Sequence, residues 1–276
     1  MAIIDTHLHL IEPERFSYPW IAGVPKLAGR FDLDRYLDEA TPLGITAMLH
    51  VEVDVAEGDM LAETAHVARL GQGVAGAIAA CRPEHADFPA QLEALATIPD
   101  VRGVRRILHQ SPDELGQSPL FARNVARLAA HGLSFDLCVL ARQLPVAAAL
   151  VRACPDVQFI LDHCGVPDVR AAALDPWRAD LARVAALPNV ACKISGVIAY
   201  GHPTNWTTAD LRPFVEHAIA VFGWDRVVWG SDWPVCTLTA DLTRWVAATH
   251  ELLAGCGADE RSRLLEHNAR RIYRIS

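Results

Sequence analysis

The sequence has no CxxC pair, no run of about 20 apolar residues and no basic stripe. Its seven cysteines are scattered, so we expect buried thiols in a reducing compartment and neither a disulfide framework nor a zinc knuckle. The net charge of −8 disfavours nucleic acid as a partner, and the lack of a long apolar run disfavours a membrane. Because no basic and then apolar leader is visible, we expect a cytoplasmic protein.

Low-complexity tracts and long linkers are also absent, and a short β-branched apolar run recurs instead, each time before an amphipathic stretch. The predicted strands are residues 2–9, 45–53, 74–81, 102–109, 133–140, 157–163, 189–196 and 226–232. Eight strands that alternate with helices predict an α/β protein, a (β/α)8 TIM barrel in which residues 1–276 form a single domain. A doubly wound open sheet is the alternative, and the missing glycine-rich phosphate loop after the first strand weakens it.

Several helices have recognisable ends, where a capping residue or proline precedes the helix and glycine follows it. The predicted boundaries are Ser118-Pro119 to Gly132, a start at Asp175-Pro176, and Thr208 or Asp210 to Gly223. A terminal helix has apolar residues at Leu264, Leu265, Ala269 and Ile272.

The first strand, in the stretch IIDTHLHL, contains three titratable residues at alternate positions, namely Asp5, His7 and His9. Side chains two apart on a strand point the same way, so we predict that these three share a face. Two imidazoles in this arrangement can bind one ligand or one divalent metal ion.

Other strands also end in ionisable residues, which are costly to bury unless they meet in a polar pocket. They are His50, Glu52, Arg105, Arg106, His109, Asp162, His163, Lys193 and Asp232. Taken singly, Asp232 is equally well explained as a helix cap, Arg105 and Arg106 as ion-pair residues, and Asp162 as a local partner. In a barrel, however, the carboxyl ends of the strands form the active site. The first-strand pair with His163 and Asp232 therefore predicts a common site.

Five motifs resemble the amidohydrolase superfamily, and within it the amidohydrolase-2 branch of sugar and muconate-type lactonases similar to L-fuconolactonase. They are DTHLHL at the start, GVR at 103–105, FILDHCG at 159–165, KISG at 193–196 and GSDWP at 230–234. The stretch SYPWI at 17–21 is also similar to that branch. The resemblance covers essentially the whole chain and implies a barrel of the metal-dependent-hydrolase type.

The resemblance also implies roles for individual residues. His7 and His9 match the first-strand pair, His163 the histidine of strand six, and Asp232 the catalytic aspartate of strand eight. The same four residues would form the metal site. The usual ligands of strands four and five are missing, which disfavours two metals. One zinc-like ion and a metal-independent reaction both stay open.

We therefore predict a lactonase that opens a sugar lactone such as an L-fuconolactone-like 1,4- or 1,5-lactone, with Asp232 as the general base and His163 as a second catalytic residue. The predicted substrate-binding residues are Arg105, His7, His9, Trp20, His109, Tyr200 and His202. A muconolactone-type substrate, a zinc-dependent decarboxylase of an aromatic or unsaturated acid, and a barrel that only binds a small molecule are the alternatives. The exact lactone and any homo-oligomer stay undetermined.

Overall fold

The computed structural model describes residues 2–275, in which eight parallel strands form one sheet in sequence order. The strands are β1 (Ile3–Leu8), β2 (Ile45–Val51), β3 (Val74–Ala80), β4 (Val101–Ile107), β5 (Ser134–Cys138), β6 (Phe159–Leu161), β7 (Val190–Ile194) and β8 (Val227–Trp229). All of the predicted strands are present. Strand β4 begins one residue before its predicted start, and the others lie within their predicted ranges.

The sheet nearly closes on itself just beyond the end of β8. Leu8 and Trp233 form a parallel bridge there, and the His9 amide donates to the Trp233 carbonyl at 2.8 Å. The Asp232 amide donates to the carbonyl of His7, also at 2.8 Å. The predicted (β/α)8 barrel is confirmed and the open-sheet alternative is wrong. The closure brings Asp232 beside the histidine pair of β1.

Within residues 2–275, twelve α-helices surround or follow the strands, together with short 3-10 turns. They are α1 (Leu33–Ala40), α2 (Met60–Val67), α3 (Phe88–Ala96), α4 (Asp113–Gln117), α5 (Pro119–Ala126), α6 (Leu128–His131), α7 (Leu144–Ala153), α8 (Trp177–Ala185), α9 (Thr208–Phe222), α10 (Leu242–Leu252), α11 (Ala258–Ser262) and α12 (Asn268–Tyr273). A π-helical turn, Arg263–His267, joins α11 to α12.

Two of the predicted helix starts need correction by one residue. Thr207 caps α9, because its backbone is extended and its amide and hydroxyl both donate to Asp210; Thr208 is already helical. The helix predicted from Asp175-Pro176 begins at Trp177, and Pro176 occupies the N-cap position. The predicted ends at Gly132 and Gly223 are confirmed.

The core has two parts, one inside the barrel and one between the strands and helices. The inner part includes Ile4, Leu49, Val51, Ile78 and Ile160, and Tyr273 of α12 packs against it. All seven cysteines are free and six of them are buried, as expected for a reduced protein. Across residues 2–275, none of the helices has the length and apolar character needed to cross a bilayer.

Candidate active site

A cavity of about 230 Å³ lies at the carboxyl ends of the strands. Its lining includes both apolar and polar side chains. The predicted site residues that border it are His9, Trp20, Arg105, His109, His163, Tyr200 and Asp232. The other lining residues are Ile11, Val24, Leu27, Val53, Asp54, Ile107, Gln110, Cys138, Val235 and Leu238. The cavity is sized for a small molecule.

Asp232 and His163 share an unusual backbone conformation. Both have positive φ, 58° for Asp232 and 54° for His163. Non-glycine residues adopt this left-handed region rarely, and such strain concentrates at functional sites. Asp232 Oδ1 lies 3.4 Å from His9 Nε2 and 3.7 Å from His7 Nε2. The carboxylate therefore faces the histidine pair.

The two histidines of the pair are in direct contact, with their Nε2 atoms 3.1 Å apart. His9 Nδ1 lies 2.9 Å from the carbonyl oxygen of Val51, which fixes the ring. His7 is fully buried and does not border the cavity. Gly230 allows this packing, because a Cβ at that position would lie 2.7 Å from the Cβ of His7.

His163 is held in place by Ser195, the residue that follows β7. Its Nδ1 lies 2.8 Å from the hydroxyl oxygen of Ser195. Burial lowers the pKa of His163, so the imidazole is neutral near pH 7. Ser195 is itself fully buried and does not border the cavity, which excludes it as a nucleophile despite its histidine partner.

The Asp5 carboxylate is bound away from the imidazoles of His7 and His9, contrary to the prediction that the three residues share a face. Its carboxylate accepts from the Tyr36 hydroxyl of α1 and from the Ser231 amide, each at 2.7 Å, and from the His7 amide at 3.0 Å. The pairing of β1 is irregular between Asp5 and Leu8, which breaks the strict alternation of side chains. Asp5 therefore ties β1 to α1 and to the end of β8.

Arg105 borders the cavity, but most of its guanidinium is already bound. Nε donates to Glu52 Oε1 at 2.5 Å and Nη2 donates to the Glu52 carbonyl at 2.7 Å. Nη1 lies 3.3 Å from His7 Nε2. Burial by itself lowers the pKa of Arg105, but the surrounding acidic groups, chiefly Glu52 and with it Cys138 and Asp162, together more than offset this and raise it. The site thus contains a permanent cation with its own counter-ion.

A second ion cluster lies beneath the cavity and was not predicted. The Lys193 ammonium is 2.7 Å from Asp136 Oδ2, 3.0 Å from Asp162 Oδ1 and 3.1 Å from His7 Nδ1. All four residues are fully buried. Burial alone would raise the pKa of Asp162, but Lys193, His7 and His163 together outweigh it and hold that pKa well below its usual value. Charged residues within the apolar strands FDLCV and VACKI were the available signal.

Two predicted groups lie elsewhere. His202 is exposed and outside the cavity, because its Nδ1 accepts backbone amides of Thr204 at 3.3 Å and Asn205 at 3.2 Å. Arg106 does not border the cavity either, and its Nε donates to Glu84 at 2.7 Å. Neither residue therefore lines this cavity.

His109 lies at the cavity wall beside a thiol. Its Nδ1 is 3.0 Å from Cys138 Sγ. Burial, reinforced by Arg105, lowers the pKa of His109 to about 4. The imidazole is therefore neutral near pH 7, and its Nε2 lies 3.2 Å from the side-chain nitrogen of Gln110.

Among the residues that the structure describes, two groups have the composition of a metal site, and His7 belongs to both. They are His7, His9 and Asp232, and His7, Asp162 and His163. In the first group the ligand atoms are 3.1, 3.4 and 3.7 Å apart, close to the edge of about 3.3 Å in a tetrahedral zinc site. In the second group the Lys193 ammonium already contacts Asp162 and His7. The donor set thus suits one ion, held by the first group.

Comparison with known proteins places these residues in context. The profile of the family described as amidohydrolase matches residues 4–275. An L-fucono-1,5-lactonase of Burkholderia multivorans is 34% identical over 294 residues, which cover 99% of this chain and 96% of that protein. An L-fucono-1,5-lactonase of Burkholderia ambifaria is 32% identical over 201 residues, which cover 68% of this chain and 67% of that protein. The crystal structure of a Burkholderia multivorans amidohydrolase with bound zinc has a TM-score of 0.92 and 29% identity, with 100% of each chain covered.

Proposed function

This chain belongs to the amidohydrolase family, and from that premise we propose that it hydrolyses a neutral sugar lactone, with Asp232 as the general base. The position of Asp232 is the observation that supports this most directly. Its carboxylate borders the cavity, and Oδ1 lies 3.4 Å from His9 Nε2. A carboxylate with imidazoles around it in a small cavity is suited to taking a proton from water.

The reaction needs one water and one lactone. Asp232 accepts a proton from the water while the water oxygen attacks the carbonyl carbon, and a tetrahedral oxyanion forms. When the oxyanion collapses, the bond from that carbon to the ring oxygen breaks. The ring oxygen takes the proton back from Asp232, and the product is an open-chain hydroxy acid. At neutral pH this acid ionises and releases one proton for each turnover.

The charge on the carbonyl oxygen is offset by residues on the polar side of the cavity. His163 and Arg105 both border it. A neutral His163 contributes a hydrogen bond, and the guanidinium of Arg105 contributes positive potential in a setting with little water. When bound by His7, His9 and Asp232, a divalent ion would add Lewis-acid polarisation of the carbonyl.

The charge of the cavity supports a neutral substrate. Asp54 and Asp232 both border it, whereas the guanidinium of Arg105 already forms an ion pair with Glu52. Arg106 bonds to Glu84 outside the cavity and is not available to an anion. An additional carboxylate on the substrate would meet two aspartates and no unpaired arginine. This weighs against a muconolactone-type substrate and against the acid substrate of a decarboxylase.

The apolar residues of the lining are suited to the less polar face of a sugar ring. Trp20 borders the cavity, and its indole is held in place because Nε1 donates to the Val53 carbonyl at 2.7 Å. Ile11, Leu27 and Leu238 also border it. A flat aromatic surface next to aliphatic groups packs well against ring C–H groups while hydroxyls face the polar side.

Proton release from a panel of neutral aldonolactones, measured with a pH indicator, tests this function. We expect turnover by the wild type and a loss of about 10²–10⁴-fold in kcat for Asp232→Asn. Asp156→Asn is the matched control, because this carboxylate is exposed on a loop. Circular dichroism checks that both variants fold. Wild-type kcat in Asp232→Asn would rule out this base, and silence across the panel would rule out the lactonase.

A further inference from the structure

We propose that the Asp54 carboxylate binds ring hydroxyls of the lactone, and that it makes the enzyme prefer a hydroxylated ring to a plain one. This role rests on the proposed lactonase function, and it concerns which lactone is preferred. Asp54 lies shortly after β2 and borders the same cavity as Asp232. Its side chain is 31% exposed, so a ligand that enters the cavity can reach it.

The backbone of Asp54 is held firmly at the cavity. Its φ of 48° is left-handed, a conformation that aspartate adopts more readily than most other residues with a side chain. The Asp54 amide donates to Glu52 Oε2 at 2.7 Å, and Glu52 Oε1 accepts from Arg105 Nε. Glu52 is itself buried. One buried carboxylate therefore fixes both Asp54 and Arg105, which lowers the entropy cost of binding a ligand between them.

The carboxylate of Asp54 still has room for hydrogen-bond donors. Within residues 2–275, none of the protein groups donates a hydrogen bond to it. Arg82 forms an ion pair with it, but Nη2 is 3.9 Å from Oδ1, beyond hydrogen-bond range. The Arg82 guanidinium also faces Glu57 and donates to the Cys81 carbonyl. Because an ionised carboxylate can accept about four hydrogen bonds, ligand hydroxyls can be accommodated.

An aromatic surface is held next to this carboxylate in the chain. Trp20 Nε1 donates to the carbonyl of Val53, the residue before Asp54, at 2.7 Å. The Val53 amide donates to Glu63 Oε1 at 3.3 Å, which fixes the segment further. Trp20 and Asp54 both border the cavity. An indole for the C–H face of a ring and a carboxylate for its hydroxyls are together suited to a sugar.

The preference follows from what each ring gives the carboxylate. Burial, reinforced by Glu52, already raises the pKa of Asp54, so the ionised form is short of stabilising contacts. A ring without hydroxyls would displace water from Asp54 and offer no donor in return, whereas a hydroxylated ring would replace that water. A site built to hydrogen-bond a substrate hydroxyl rejects the analogue that lacks it.

The ratio of kcat/KM on an aldono-1,5-lactone to kcat/KM on δ-valerolactone, which has no hydroxyls, tests this role. Asp54→Gly removes the carboxylate, and glycine adopts the left-handed backbone without strain. We expect the ratio to fall about 10–100-fold, through a higher KM for the hydroxylated lactone. A merely structural role would lower both rates alike, and an unchanged ratio would overturn the proposal.

Gln72→Gly is the matched control, because Gln72 is exposed, has φ of 50° and does not border the cavity. It should keep the wild-type ratio. Asp54→Asn retains one acceptor oxygen and should give a ratio between those of the wild type and Asp54→Gly. Circular dichroism checks the fold of all three variants. A ratio in Asp54→Asn as low as in Asp54→Gly would still support a role for the negative charge.

Binding of lactams separates this proposal from the lactonase function, because lactams resist hydrolysis. The probes are D-glucono-, D-galactono- and D-mannono-1,5-lactam, with δ-valerolactam as the hydroxyl-free ring, in calorimetric titrations. We expect at least one sugar lactam to bind more tightly than δ-valerolactam, and to lose about 10-fold in affinity in Asp54→Gly.

The two failures can be told apart. If the protein hydrolyses no lactone but binds a sugar lactam through Asp54, the lactonase function is wrong and the role of Asp54 stands. If it hydrolyses lactones while Asp54→Gly keeps the wild-type ratio and lactam affinities, the role of Asp54 is wrong and the lactonase stands. Lactams that all bind no better than δ-valerolactam would also overturn the role of Asp54.

Discussion

The hydroxyl oxygen of Ser195 lies 2.8 Å from Nδ1 of His163, and the next residue, Gly196, has a left-handed backbone with φ of 64°. A Cβ at Gly196 would overlap Nδ1 of this imidazole and would lie 2.6 Å from its Cγ. The stretch KISG therefore provides both a partner for His163 and the space that its ring occupies.

Replacing Gly196 by alanine is expected to displace the His163 imidazole. A shift of about 1 Å in a catalytic group can lower the rate about 10²-fold, so we expect kcat/KM on the best lactone to fall by that order. Steady-state kinetics measures it, with circular dichroism as the folding check. Gly255→Ala is the control, because a Cβ there meets nothing within 4 Å. A folded Gly196→Ala enzyme with wild-type kcat/KM would contradict this role.

Asp5 is expected to contribute to stability, since its buried carboxylate accepts from Tyr36, Ser231 and His7. The change Asp5→Ala leaves those donors without partners, and we expect a loss of about 3–5 kcal/mol in the free energy of unfolding. Tyr36→Phe removes a single bond and should lose about 1–3 kcal/mol. Urea unfolding measures both. Equal losses in the two variants would be inconsistent with a carboxylate that has three donors.

Glu63 is expected to make stability fall as the pH rises. Burial, reinforced by Glu52, raises its pKa in the folded protein well above the ordinary value of 4.5. Below that pH both states hold the proton. Above it the unfolded chain ionises while folded Glu63 stays protonated, so the free energy of unfolding decreases until the folded pKa is passed.

The substitution Glu63→Gln removes this loss and keeps the acceptor for the Val53 amide. We therefore expect the variant to gain stability relative to the wild type between pH 5 and pH 7.5, in urea unfolding at each pH. Glu114→Gln, at an exposed position, should leave the free energy of unfolding unchanged at both pH 5 and pH 7.5. A constant difference between Glu63→Gln and the wild type across these pH values would argue against a raised pKa.

Arg105 and Arg106 are adjacent but are expected to differ in their effect on activity. Arg105→Lys loses the two bonds of the planar guanidinium to Glu52, and we expect kcat to fall about 10²–10³-fold. Arg106→Lys should leave kcat/KM unchanged, since Arg106 lies outside the cavity. Kinetics on a neutral lactone and on a carboxylated analogue measures both. If Arg106→Lys lost activity on the carboxylated analogue but kept activity on the neutral lactone, the placement of Arg106 outside the substrate site would be refuted.

The fold and the family could both be predicted from the sequence. Strands of a parallel barrel are buried on both faces, so they stand out as apolar runs, and each predicted run is a strand of the barrel. The resemblance to amidohydrolases is confirmed by the family match over residues 4–275. Helix starts were less accurate, because Thr207 and Thr208 are equally good caps in sequence and only the backbone conformation distinguishes them.

The site was predictable only in part. Residues at strand ends converge in any barrel, which explains why His9, Arg105, His163 and Asp232 border one cavity. The ion pair between Lys193 and Asp136 was not predicted, because the two residues are far apart in sequence and each is an isolated charge in an apolar strand.

By itself, the sequence determined where the strands lie and which polar residues stand at their ends, because burial and side-chain period are local properties of the chain. The tertiary structure decided what each polar group contacts: Asp5 binds Tyr36, Arg106 binds Glu84, and Lys193 lies beneath His7. The contacts of Asp5 depend on an irregularity in β1 and on the closure of β8 against β1. Both set the direction of side chains in space, and neither can be read from residue order alone.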